Sequence, residues 1–385
     1  MYYSFTPITK LCSIGFMSKS EEVLFRLLQC ELWGNKFDQD VTSQEIEEVL
    51  KLAKAQTVFG LVFNALVTNQ VKFDKKVLFK AIAIQNKIRQ QNELINQGMV
   101  DFFKQMDAHQ MDYLVMKGQT LAVLYPHPEM RMSGDVDFLI KDDYEKVRKN
   151  FDSLFAISLP TLNAYEKEAA FERNGVLYEL HTYLITFGSS QNSKYWDQLI
   201  ADCWAQRYYV DILDSKIRIL PPTLYSVYVF LHLFFHFIRE GVGLRQFCDW
   251  AVFLNHYAQE IDTNLLQDIL VKLDMLPAYR AFGSIAVSLL GLPAERFPFE
   301  LTEKDQKWVH KIMQDVLKGG NFGKQNHQAK GVGLKFKLET ALVSIRNVFA
   351  YYPLAPRDLR NYLIRLVKGN IVLYFKKAFT LLKQQ

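Results

Sequence analysis

The chain has 385 residues, 49% of them hydrophobic and 23% charged, a balance that excludes a disordered protein and allows a large buried core. The longest apolar run, residues 224–238, is broken by His232 and His236 and falls short of the roughly 20 residues a membrane span needs, so a buried helix is expected there. The net charge of +5 is uneven: from Lys335 onward ten basic residues face two acidic ones, which is +8 and leaves −3 for the remainder.

Cys12, Cys30, Cys203 and Cys248 are far apart and form no paired motif, which points to reduced thiols in a cytoplasmic protein and gives no sign of a zinc site. Residues 1–16 contain Lys10 and a short apolar stretch but no secretory h-region. They read as an extension ahead of a helix cap at 17–22.

Apolar spacing then predicts helices over 20–33, 42–67 and 75–109. These carry no evident chemistry and are expected to brace the unit that follows and to wall one side of its cleft. A buried strand is expected at 113–116, a break at Lys117-Gly118, and a helix over 119–125. In the second strand, 135–140, alternation sends Asp135 and Asp137 off one face about 6–7 Å apart. Two carboxylates on a rigid strand can clamp a divalent metal.

Asp142 with Glu145 reads as a capping box opening a helix to 155, so Asp142 and Asp143 are expected to start a helix rather than bind metal. Strands at 169–173 and 176–184 flank Asn174-Gly175, a strong hairpin signal. In the second of these, Glu179 and His181 share a face, His181 being either a neighbour of the metal site or a hydrogen-bonded structural residue. Short strands are expected at 207–210 and 216–220. After Pro221-Pro222, helices are expected at 223–240, 243–257, 262–273, 278–290 and 302–317, then a loop at 321–333 and basic, aromatic-rich helices to 382. His232 and His236 have the i, i+4 spacing of a metal pair but no third ligand, which favours packing. Arg245 and Asp249 share that spacing and read as an ion pair on one helix or as part of the acceptor side of a cleft.

The order Lys117-Gly118, an apolar helix ending in Tyr125-Pro126, Arg131, then Gly134-Asp135-x-Asp137 resembles a bacterial nucleotidyltransferase-like family within the superfamily that includes DNA polymerase beta. The resemblance is concentrated in residues 105–185, and the Lys-Gly turn departs from the commoner Gly-Ser version. It implies an α+β fold, mostly helical, with a small mixed β-sheet core between helical N- and C-terminal parts. The divisions expected are an N-terminal helical region (1–110), the α/β core (111–220), a helical domain (221–320), and a loop with basic C-terminal helices (321–385). It also implies that Asp135, Asp137 and Glu179 hold Mg²⁺ in a two-ion site, Glu179 supplying the third carboxylate that superfamily members place beside the D-x-D strand. The backbone at Gly118 would then cradle a triphosphate, with Lys117 and Arg131 as phosphate partners, and Gly134 would only make the turn.

The function expected is transfer of a nucleoside monophosphate from an NTP to an acceptor hydroxyl on a small molecule or protein. The alternatives are a non-catalytic protein that binds nucleotide or a partner and, less favoured, a nucleotide-sugar glycosyltransferase. For the tail, nucleic acid and an anionic membrane face both remain open as contacts, and a packed, solvated surface is preferred.

Overall fold

The computed structural model describes residues 17–163, 166–320 and 334–367. Four helices lead: α1 (Lys19–Trp33), α2 (Ser43–Ala55), α3 (Phe59–Thr68) and the long α4 (Lys75–Ala108). The first two open on reciprocal capping boxes, Ser18 with Glu21 and Thr42 with Glu45, which satisfy backbone N–H groups that have no partner within the helix. The single helix expected over 42–67 is broken by Thr57, whose φ is 56°. The break places the fully buried Gln56 against the far helices. Its amide donates to the carbonyls of Val316 and Leu317 at 3.2 and 3.3 Å and accepts from the Leu244 N–H at 3.3 Å, because a buried amide must be satisfied.

The central sheet has four strands: β1 (Tyr113–Met116), β2 (Asp135–Ile140), β3 (Glu168–Arg173) and β4 (Val176–His181). Their order is β1-β2-β4-β3, with β2 and β4 parallel and the outer pairs antiparallel. The hairpin turn has positive φ at Asn174 (52°) and Gly175 (77°), the geometry that matches strand twist. Asp137 lies beside Glu179 and Leu139 beside His181 in the β2–β4 register. Alternation therefore puts the polar set on one face. The other face sits on an aromatic layer in which Phe102 of α4 lies 5.0 Å from Tyr178, and Phe171 stacks on Tyr178 at 5.1 Å.

Between β1 and β2, α5 (Gln119–Ala122) is a single turn rather than the helix expected to 125. Leu124 and Tyr125 continue as tight turns, bonding to Leu121 and Ala122 at 3.1 and 3.0 Å, because Pro126 disfavours helix at the residue before it. After β2 comes α6 (Tyr144–Phe155), and its cap is Asp143 rather than Asp142. Asp143 accepts from the Glu145 and Lys146 N–H groups, while Asp142 pairs with Lys146 at 2.6 Å. Strands β5 (Tyr208–Ile212) and β6 (Ser215–Ile219) form a separate two-stranded sheet.

One helix was not expected: α7 (Ser190–Cys203) buries Trp196, Ile200 and Cys203. It is held at its start by the fully buried Asp358, which accepts from the Gly188 and Ser189 N–H groups at 3.0 Å each. The C-terminal half continues as α8 (Pro222–Arg239), α9 (Leu244–Tyr257), α10 (Thr263–Leu273), α11 (Leu276–Ser288), α12 (Glu303–Gly319) and α13 (Leu334–Tyr351). Residues 356–367 are also helical. As expected, α8 is buried and packed against α9, α10 and α13. Among the described residues no helix is long and apolar enough to cross a membrane.

Cys30, Cys203 and Cys248 are buried and free. Tyr351 belongs to the core, its ring 4.7 Å from Phe237 and its hydroxyl 2.7 Å from Asp315. Residues 1–16 with Cys12, the loop expected at 321–333, and the tail beyond 367 with Tyr374 and Phe375 lie outside the described residues.

The loop after α5 is fastened where Gly60 of α3 meets it: a Cβ on Gly60 would collide with the Met130 carbonyl, whereas one on Gly134 would meet nothing within 4 Å. Gly60→Ala should therefore cost about 1–3 kcal/mol in denaturant unfolding and Gly134→Ala close to nothing. Equal effects of the two would show that this contact is not close-packed.

Candidate active site

The Lys117-Gly118 turn is shaped by its own backbone and by a tyrosine from α8. Both residues have positive φ, 57° and 52°, a conformation glycine tolerates and lysine adopts at a cost. The Tyr225 hydroxyl repays part of that cost by accepting from the Lys117 N–H at 2.9 Å and bonding to the Thr120 hydroxyl, which donates to the Lys117 carbonyl at 2.7 Å. The turn delivers Lys117 Nζ to 2.9 Å from Asp137 Oδ2.

On the other side of that carboxylate, His181 Nε2 lies 2.8 Å from Asp137 Oδ1 and 4.0 Å from Glu179 Oε2. Asp137, Glu179 and His181 offer ligand atoms all within 4.8 Å of one another. That donor set, two carboxylates and an imidazole, fits a divalent cation. Asp135 is half-buried at the start of β2 and lines the same cavity. The third member of the tight group is thus His181, with Asp135 beside it. His181 is both a neighbour of the metal-capable group and a hydrogen-bonded residue.

The charges are unevenly balanced. Burial opposes ionisation of Asp137, but the Lys117 ammonium and then His181 hold its carboxyl well below the usual range. Lys117 is likewise lifted above its ordinary value by Asp137 and Asp135, although burial works the other way. Glu179 has only the more distant His181, at 4.0 Å, and the weaker influence of Lys117. Burial first, and then the carboxylates of Asp137, Asp135 and Glu168, push it up to about 7. Lys117 and Lys167 do not offset Asp135, Asp137, Glu168 and Glu179, and the excess negative charge is what a bound cation would neutralise.

Lys117, Asp135, Asp137, Glu168 and Glu179 line a cavity of about 560 Å³ whose far wall comes from α8 and α9, within the size range of small-ligand sites. Every residue from 224 to 238 is buried except His232 and His236, and both line the cavity, their rings 4.3 Å apart. The expectation that they only pack is corrected: an apolar helix has put its two open positions on the cavity wall. Burial, then Lys117 and His236, hold His232 well below the ordinary imidazole range, so it is neutral at pH 7. Glu168 and Lys167 complete a wall that the sequence did not suggest. The leading helices α1–α4 supply none of the cavity-lining residues, so they brace the site rather than wall it.

Arg131 lines the cavity too, but its guanidinium is engaged. Its Nε and Nη2 donate to the two carboxylate oxygens of Asp249 at 2.7 and 2.8 Å and its Nη1 donates to the Ser133 hydroxyl at 2.9 Å, while Tyr125 adds a 2.7 Å bond to Asp249. The pairing of Asp249 with Arg245 expected from helical spacing is not formed. The planar fork of Arg131, fixed by its loop, matches the carboxylate bidentately, and Arg245 donates instead to the Met132 carbonyl at 2.6 Å. The loop itself is held by Asn92 of α4, which donates to the carbonyls of Glu129 and Arg131 at 3.0 and 2.8 Å.

A folded-state pKa above the unfolded value of 4.5 means that folding takes up a proton at Glu179. Its contribution is unimpaired below pH 4.5 and becomes increasingly unfavourable as pH rises to about 7. In chelator, Glu179→Gln should therefore leave stability nearly unchanged at pH 4.5 and raise it by roughly 2–3 kcal/mol at pH 8, read by denaturant unfolding. The same shift at both pH values would contradict the crowding of carboxylates.

A model of a family described as uncharacterised nucleotidyltransferases matches residues 42–291. No curated protein matches the chain. A crystal structure of an antigenic nucleotidyltransferase-like protein from Paracoccidioides brasiliensis aligns over 51% of this chain and 93% of its own, at 17% identity and a TM-score of 0.33, too loose a superposition to bear on mechanism. The family match runs from the cap of α2 to just beyond α11 and spans more than half of the sequence; the chain belongs to the family of uncharacterised nucleotidyltransferases.

Proposed function

We propose that this chain is a Mg²⁺-dependent nucleotidyltransferase that moves a nucleoside monophosphate from an NTP to an acceptor hydroxyl on a small molecule or protein. The observation that carries the proposal is the coincidence, in one cavity, of Asp135, Asp137 and Glu179 with Lys117 and Gly118, His181 standing beside Asp137 and Glu179, in a chain of nucleotidyltransferase family. A glycosyltransferase reading has no support from that family. Nor does it suit a D-x-D strand set in a four-stranded mixed sheet behind four helices.

Asp137, Glu179 and His181, with Asp135 alongside, would hold the metal, and the two-ion arrangement belongs to the same proposal. When bound, the cation supplies charge neutralisation at the phosphates and a lowered pKa for the acceptor hydroxyl. The protein's own contributions are positional. Lys117 keeps Asp137 ionised and aimed into the cavity. Gly118 lets backbone approach a phosphate closely, and a Cβ there would sit 3.2 Å from the Asp135 carbonyl. The one-turn α5 is too short to add much macrodipole, so side chains must carry the remaining positive charge. Neutral His232 stands on the opposite wall, where an acceptor could hydrogen-bond to it.

Transfer should carry label from an α-³²P-labelled NTP, never from the γ-labelled one, onto the acceptor. Asp137→Asn should lower the rate by at least about 10³-fold, the scale of losing a metal ligand's charge at such a site. Transfer of the γ-label would indicate a kinase-type reaction and overturn the proposal.

A further inference from the structure

Four lysine and arginine side chains line the cavity, and three of them are paired with carboxylates: Lys117 with Asp137 at 2.9 Å, Arg131 with Asp249 at 2.7 Å and Lys167 with Glu168 at 3.0 Å. Arg245 differs. Among the described residues no carboxylate lies within ion-pair distance of it, its Nε is buried without a hydrogen-bond partner, and its Nη1 meets only the uncharged Met132 carbonyl. The guanidinium of Arg131, which acts electrostatically on Arg245, is already paired with Asp249.

The side chain is also held in place. The start of α9 is pinned to Gln56, whose carbonyl accepts from the Arg245 N–H at 3.4 Å and whose side chain accepts from the Leu244 N–H at 3.3 Å. Gly243 allows this approach, since a Cβ there would come within 2.8 Å of the Gln56 carbonyl. A pre-positioned guanidinium with a buried, unbonded Nε and no carboxylate in ion-pair distance is costly to keep. Its five-donor fork suits an oxyanion with several free oxygens.

We propose that Arg245 is the anion-binding residue of the cavity, and that its ligand is the polyphosphate of the incoming NTP. This rests on the nucleotidyltransferase reading above and assigns the phosphate contact to Arg245 in place of the engaged Arg131. Asp135 of the metal-binding strand is among the carboxylates that act electrostatically on Arg245, and both line the same cavity.

The test is calorimetric titration of the four NTPs with Mg²⁺, of inorganic tripolyphosphate and of the free nucleosides into wild type, Arg245→Gln and Arg245→Lys, with Mn²⁺ binding and melting temperature followed in each. Arg245→Gln is expected to weaken the bound NTP and tripolyphosphate about 10- to 100-fold, the loss on removing a charge-assisted hydrogen bond, while nucleoside and Mn²⁺ binding and melting temperature stay at wild-type levels. Arg245→Lys is expected to recover part of the loss. Equal NTP and tripolyphosphate binding by wild type and Arg245→Gln would overturn the assignment, as would a loss that extends equally to nucleoside and Mn²⁺. If wild type bound tripolyphosphate through Arg245 but no NTP, the anion site would stand and its nucleotide ligand would fall together with the proposed function. Binding of neither would overturn both.

Discussion

The ion pair between Lys117 and Asp137 is the interaction on which the rest of the site depends. Asp137 is 1% exposed and Lys117 contacts it at 2.9 Å, so an isolated carboxylate at that depth would have to take up a proton. The lysine keeps it charged, and the lysine is delivered by a turn with two successive positive φ angles. That turn is braced in its unfavourable conformation by Tyr225 from α8. Strand, turn and the C-terminal helical half are thus coupled through one ammonium group.

The same economy of charge explains the division between α8 and α9 on one side and the sheet on the other. The sheet face holds more carboxylates than Lys117 and Lys167 can offset, and burial together with these charges drives Glu179 up to about 7. The α9 side holds Arg245, a cation with no carboxylate in ion-pair distance among the described residues. Between them lies the cavity, with Asp135, Asp137 and Glu179 on the sheet side and Arg245 on the α9 side. Such a site suits a metal–polyphosphate ligand, whose cation and anion ends ask for opposite walls.

Much of this was legible in the sequence where the signal is local. Strict alternation in 135–140, the Asn174-Gly175 turn and the buried run of α8 each depend on neighbouring residues, and the strands, hairpin and helix stand where expected. What failed was either masked or long-range. Helix α7 places its few buried side chains, Trp196, Ile200 and Cys203, among polar residues, which leaves a weak periodicity. The break at Thr57 serves a contact between Gln56 and residues 260 positions away. Arg131 takes Asp249 across 118 residues, an outcome that helical spacing around Arg245 could not show. Periodicity alone cannot separate a helix face in the core from one on a cavity, so His232 and His236 looked like packing. Asp135, Asp137 and Glu179 were candidates from strand faces and family likeness, and all three line the cavity; His181 was visible as a candidate because it shares the face of Glu179.

The most direct measurement is equilibrium binding of Mn²⁺, followed by electron paramagnetic resonance with Mg²⁺ competition, on wild type and on Asp137→Asn and His181→Ala. If Asp137, Glu179 and His181 form the metal site, wild type should bind Mn²⁺, Mg²⁺ should displace it, and both variants should bind at least about 10-fold more weakly. Wild-type affinity in Asp137→Asn, or no Mn²⁺ binding by the wild type at all, would contradict it.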